Sequence, residues 1–149
     1  MNKRTTQALE TFSSQYNCAQ SVLSVFAEEL GLTKDLALKL SCPFGAGLAF
    51  RQETCGAISG SIMAIGLKYG NGISGSVADK ETAYDMTTHL ITEFKKLHKT
   101  ICCRELLDGM DMSTPEGIAR LHEMDMFRKR CAAYVEDAVR ITEKIIGCK

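Results

Sequence analysis

Cysteines stand at positions 18, 42, 55, 102, 103, 131 and 148 of a 149-residue chain. Thiols do three kinds of work: as thiolates they ligate soft metals and iron-sulfur clusters, they exchange with disulfides, or they pack as small apolar groups. The residues ahead of them bear on which. Asn17, Thr54 and Thr100 are helix-capping types, and they place Cys18, Cys55 and Cys103 in the first turns of three helices. Free N–H groups and the positive end of the helix dipole stabilise a thiolate there and are expected to lower its pKa. Convergence of the three starts would make an electropositive pocket, suited to an attacking thiolate or to an anionic cluster held by thiolates. Cys131 would join from the C-terminal helix, behind Arg128-Lys129-Arg130, of which only Arg128 shares its helical face.

The positions 18, 55, 103 and 131 match neither the C-x-x-C pairs of zinc ribbons nor ferredoxin runs, so a metal site would have to be assembled by tertiary structure. No C-x-x-C-H is present, so the chain attaches no haem covalently. Met1 to Thr6 lead into a polar amphipathic segment without an apolar signal region, and the cysteine count is odd. Both favour a cytoplasmic protein with reduced thiols over a disulfide framework. The alternative is that the cysteines pack in the core.

Other candidates are weaker. Gly45-Ala46-Gly47 lacks a Walker lysine and a preceding strand, so it reads as a turn. With Gly56 it could let backbone approach the Cys55 sulfur or donate N–H bonds to cluster sulfide. His89, His98 and His122 lie apart in polar helical surroundings and read as surface residues; Glu28-Glu29 and Glu93 to Lys96 read as solvated helix faces, with no foothold for hydrolase chemistry. Met110, Met112, Met124 and Met126 suit core packing or a dimer contact better than a copper site.

The elements that would position the thiols are helices throughout. Apolar residues recur at helical spacing and no segment alternates like a strand, so the fold reads as all-α: one compact bundle of about five to seven helices in a single domain over 1–149. Expected helices run from Thr5 to Ser13, from Asn17 to Gly31, from Lys34 to Leu40, from Thr54 to Tyr69, from Asp79 to Lys99, as a brief turn to Leu107, and from Pro115 to Ile146 as one or two helices. Cys42 to Gly47 form a loop. Gly56, Gly60 and Ala64 make a small-residue face that invites close packing or a homodimer. Lys plus Arg and Asp plus Glu both total 18, so nothing draws the chain to nucleic acid, and the longest apolar stretch, from Ala57 to Leu67, is too short to insert in a membrane.

Glu53-Thr54-Cys55-Gly56-Ala57-Ile58-Ser59-Gly60, with Asn17-Cys18-Ala19-Gln20, Phe44-Gly45-Ala46-Gly47, Cys103-Arg104-Glu105-Leu106-Leu107 and Cys131 near Tyr134-Val135, resembles the C_GCAxxG_C_C family of redox-active proteins over almost the whole chain. The resemblance maps the family's four cysteines onto Cys18, Cys55, Cys103 and Cys131. It implies a redox role and an association with a transporter component, and a related domain in some multihaem cytochromes implies an iron-sulfur centre. Cys102 beside Cys103, and Cys42 beside the glycine loop, leave two assignments open. Three readings follow. In the first the four thiols bind an iron-sulfur cluster or another thiophilic metal and exchange electrons with an unknown redox partner. In the second Cys55 and Cys103 are the redox thiols of a metal-free oxidoreductase or sensor. In the third the chain is a non-enzymatic helical accessory protein, with thiols scattered through its core.

Overall fold

The computed structural model describes residues 2–147. Local capping chemistry sets most helix starts. Asn2 caps α1 (Lys3–Ser13), its side chain accepting from the Thr5 N–H at 2.9 Å. Asn17 and Gln20 form a reciprocal capping box on α2 (Cys18–Ser24), and Gln20 Nε2 also donates to the Leu38 carbonyl at 3.0 Å, tying α2 to α3 (Lys34–Ser41). The helix expected to reach Gly31 stops at Ser24. Buried Arg4 donates from Nε to the Val25 carbonyl at 3.1 Å, and the chain resumes as a single 3-10 turn, Glu28–Leu30, before Gly31 ends it at φ 87°.

The expected loop after α3 is a 3-10 turn, Cys42–Phe44, followed by the short segment α4 (Gly45–Leu48). The latter is not right-handed: Ala46, Gly47, Leu48, Ala49 and Phe50 all have positive φ, as does Gln52. Next come α5 (Gly56–Tyr69) and α6 (Val77–His98); a Ser76–Asp79 capping box starts α6 two residues before the expected Asp79. Then follow α7 (Cys103–Leu106), α8 (Pro115–Glu123, capped by Thr114), a π-helical turn Phe127–Cys131, and α9 (Ala132–Ile146), ended by Gly147 at φ 72°. Helical segments exceed five to seven because residues 100–131 break into short pieces. The described residues contain no strand, only an isolated antiparallel bridge between Thr54 and Cys102. No helix among them is long and apolar enough to cross a membrane.

Helix α5 is the central element, packed on α2, α6 and α9. Its small-residue face is used within the chain: a Cβ at Gly60 would lie 2.7 Å from the Ala19 carbonyl oxygen and 3.1 Å from Val22 Cβ, so α2 rests almost on the α5 backbone. The main apolar cluster, including Phe26, Ile58, Ile65, Phe94 and Val135, surrounds α5. A smaller one gathers Cys103, Leu107, Met112, Leu121 and Met126. Arg4, under the ring of Phe26, pairs with Glu29 and, at 2.6 Å, with Glu143, which anchors α1 to α9.

Gly60 and Gly66 lie in the same helix, but only Gly60 faces a neighbour within 4 Å. Gly60→Ala is expected to destabilise by about 1–3 kcal/mol through the α2 contact. Gly66→Ala is expected to stabilise by about 0.5–1 kcal/mol, its helical preference being unopposed. Urea unfolding of both variants checks the pair.

Candidate functional site

Four cysteines line one cavity of about 370 Å³. Cys18 is the first residue of α2, Cys55 the N-cap of α5, Cys103 the first residue of α7 and Cys131 the last of the π-helical turn. The cavity lies between the two apolar clusters, Cys55 belonging to one and Cys103 to the other. Cys42 and Cys102 are not on its wall. Cys42 is exposed and Cys102 donates its S–H to the Gln52 carbonyl at 3.5 Å. Cys148 lies outside the described residues.

Backbone contacts bring the sulfurs together. A Cβ on Gly56 would overlap the Cys18 sulfur and stand 3.0 Å from the Phe44 carbonyl oxygen, so only glycine lets Cys18 sit against the start of α5. The Thr54–Cys102 bridge sets Cys55 beside Cys103: the Cys55 N–H donates to the Ile101 carbonyl at 2.7 Å and the Cys103 N–H to the Glu53 carbonyl at 2.6 Å. Gly45 and Gly47 serve the turn beside them. A Cβ on Gly45 would overlap the Asn17 side chain, which donates to the Cys42 carbonyl at 2.8 Å, and a Cβ on Gly47 would fall 2.6 Å from Gln52 Cα. Ala46, between them, lines the cavity.

The thiols are not the low-pKa groups that their helix positions suggest. Burial raises all four. It pushes Cys55 well above the ordinary thiol value, with the neighbouring Cys18 adding to the shift and the Ala57 N–H opposing it. It lifts Cys103 to about 12, with Cys18 and Cys102 adding and Arg104 opposing. Cys131 rises through burial and then through Cys18 and Cys103. Cys18 is raised by burial against the backbone N–H groups of Ala46, Ala19, Cys18 and Ala57. One cause defeats the helix-start expectation: removal from water in a mostly apolar cavity costs the thiolates more than the nearby backbone N–H groups return. Both arginines before Cys131 are engaged: Arg130 Nη2 lies 2.9 Å from Asp108 and Arg128 Nε 2.7 Å from Asp125.

The free site therefore holds four neutral thiols, and a cationic centre that replaced their protons would remove the cost of ionising them in an apolar cavity. Among the described residues no disulfide is formed by Cys18, Cys42, Cys55, Cys102, Cys103 or Cys131. Nor is any group of three or more His, Cys, Asp or Glu side chains placed to hold a single metal ion. The four cysteines share one cavity without being joined.

Several residues of the site carried no sequence signal. Gln52 is buried: its Nε2 donates to the Met110 carbonyl at 2.7 Å and its Oε1 accepts from the Met112 N–H at 2.8 Å, pinning the segment that covers the cavity. His122 lines the cavity beside Phe127, and His98, half-buried, lies 2.8 Å from Asp137. His89 and His122 are both exposed, as the sequence suggests, and His98 alone of the three is not. Tyr134 shares a helical face with Cys131, lines the cavity and donates its hydroxyl to the Leu106 carbonyl at 2.7 Å.

Because the unfolded chain loses thiol protons near 9 and folded Cys103 only near 12, the metal-free protein is expected to be fully stabilised by this group below pH 9 and to lose that contribution as pH rises toward 12. Urea unfolding at neutral and alkaline pH checks the sign; a Cys103→Ser variant should show a shallower loss. In the folded protein at neutral pH a thiol reagent should label exposed Cys42 ahead of Cys55 and Cys103, which are buried.

No curated protein and no solved structure matches the chain. The family described as "Putative redox-active protein (C_GCAxxG_C_C)" matches residues 16–145, a span that contains all four cavity cysteines. With that match over most of its length, the chain belongs to the C_GCAxxG_C_C family of redox-active proteins.

Proposed function

We propose that Cys18, Cys55, Cys103 and Cys131 hold an iron-sulfur cluster, or another thiolate-bound metal, and that the protein transfers electrons or senses redox state through it. The observation that carries this reading is the cavity itself: four cysteines from four separate elements line one mostly apolar space. An all-sulfur donor set is the soft kind that such centres take. A single tetrahedral ion with sulfur at about 2.3 Å would draw its ligands to within about 4 Å of one another. A cluster with several irons would take the same four ligands at longer mutual distances.

When bound, such a group supplies one-electron chemistry. The chain's own residues do the rest. The amides of Ala46, Ala19 and Ala57 favour negative charge on the Cys18 sulfur, which raises a centre's potential relative to a site without them. The apolar wall, with Leu106, Leu107 and Phe127, limits water at the sulfurs. Gly56 keeps the Cys18 position open, while Gly45 and Gly47 shape the turn that presents Ala46. The metal-free alternative places exchange at Cys55 and Cys103, and the bridge does hold these two starts side by side. Burial keeps both protonated at neutral pH, however, which leaves little thiolate to attack. Cysteines that merely packed would be expected in separate core regions rather than on one cavity.

The test is anaerobic reconstitution with iron and sulfide, followed by visible absorption and metal analysis. The wild type is expected to bind stoichiometric iron and sulfide with charge-transfer bands. Serine at any one of the four positions should remove most of the colour, and Cys42→Ser should leave it intact. A colourless, metal-free wild type that gains two thiols on reduction would replace this reading with the dithiol switch.

A further inference from the structure

Helix α6 is 22 residues long, about 33 Å, yet only Leu90 and Phe94 on it are fully buried. Its C-terminal half packs on α5 and α9, whereas residues 77–82 are exposed all round. Val77, Tyr84 and Ile91 recur every seven residues and so fall in one line along the helix. Val77 is 64 % exposed and Tyr84 67 %, Ile91 is half-buried, and Ile73 in the preceding turn is fully exposed. This line lies beside the Leu90–Phe94 face and is not part of it. A helix half with no tertiary contact is marginal in water, because most helical stability in proteins comes from packing an apolar stripe.

The charges beside the stripe differ from end to end. Glu81 and Asp85 lie in the first half with Lys80 on the other side of the stripe, so that the half is acidic on balance, and none of the three has an ion-pair partner among the described residues. Lys95 and Lys99, at the other end, have none either, whereas Lys96 is paired with Glu93 at 2.6 Å. The helix dipole accounts for a carboxylate in the first turn and lysines in the last. It does not account for Asp85 in the third turn, nor for Val77 and Tyr84 in water.

We propose that the outward face of α6 is the interface of a homodimer, in which α6 of a second copy packs antiparallel against it. A twofold axis near the middle of the helix meets the symmetry requirement that the same patch serve both copies. It brings the acidic first half of each α6 against the basic end of the other, and covers the Val77–Tyr84–Ile91 line from both sides. A parallel arrangement would place like charges together. This surface differs from those that suggest a homodimer in the sequence, since the Gly60 face packs on α2 and Met112 and Met126 are buried.

The test is sedimentation equilibrium on the reduced, metal-free protein, so that neither a bound centre nor a Cys42 disulfide contributes. The wild type is expected to be dimeric at about 100 µM and to dissociate as salt rises. Glu81→Lys with Asp85→Lys, and separately Lys95→Glu with Lys99→Glu, should each weaken the dimer at least about tenfold. Mixing the two variants should restore association as a heterodimer, which also shows that both are folded; Tyr84→Glu should be monomeric with an unchanged circular dichroism spectrum. A monomeric wild type at that concentration, or a dimer indifferent to both charge reversals and to Tyr84→Glu, would overturn the proposal.

Discussion

The close approach of α2 to α5 is the constraint from which the rest of the structure follows. Gly56 and Gly60, four residues apart on one face, leave no side chain between the helices, so the Ala19 carbonyl oxygen would lie 2.7 Å from a Cβ at Gly60. At the core end this packs Val22 against α5. At the other end it lays the Cys18 sulfur over Gly56 and next to Cys55. The bridge that starts α5 then fixes Cys103, and Tyr134, bonded to the Leu106 carbonyl, brings the end carrying Cys131 against α7. Packing and chemistry are two ends of one helix contact.

That contact also sets the electrostatics. Bringing four thiols to one mostly apolar cavity raises all of them, and each ionised thiolate would raise its neighbours further. Helix starts usually lower a thiol's pKa, but the effect needs free N–H groups and some water. Here Cys18 alone faces several amides, from α2, α5 and the Ala46 turn, and burial outweighs even these. The neutral state is a consequence of assembly, one that no single helix start reveals.

This explains how much the sequence discloses. Helices capped by Asn17, Thr33 and Thr114 are legible because a cap is a local bond between near neighbours, whereas the Ser76 cap hides in a Ser/Gly-rich connection. The glycine face of α5 is legible as periodicity, and the four cysteines through the motif around Cys55 and Gly56. The break of α2 at Ser24 is not legible, because it involves Arg4, 21 residues from Val25. Gln52 is silent for the same reason, since its partners are Met110 and Met112, 58 and 60 residues on. His122 and Tyr134 reach the cavity only through the way α8 and the π-helical turn fold back.

The run of positive φ from Ala46 to Phe50 bears on the order of assembly. Left-handed backbone costs an L-residue roughly 1–2 kcal/mol, and only Gly47 in this run escapes that penalty. Hydrogen bonds inside the turn, from the Ala49 N–H to the Gly45 carbonyl at 2.9 Å and from the Gln52 N–H to the Ala46 carbonyl at 3.1 Å, offset part of this; the longer-range supports are Asn17 beneath Gly45 and the docking of Gln52 with residues 110–112. These supports exist only once α2, α5 and α7 are in place. The wall of the cavity that carries Ala46 therefore leans on the helical scaffold, and in a chain emerging in sequence order the four-thiol chamber cannot be complete before Cys131 has been made.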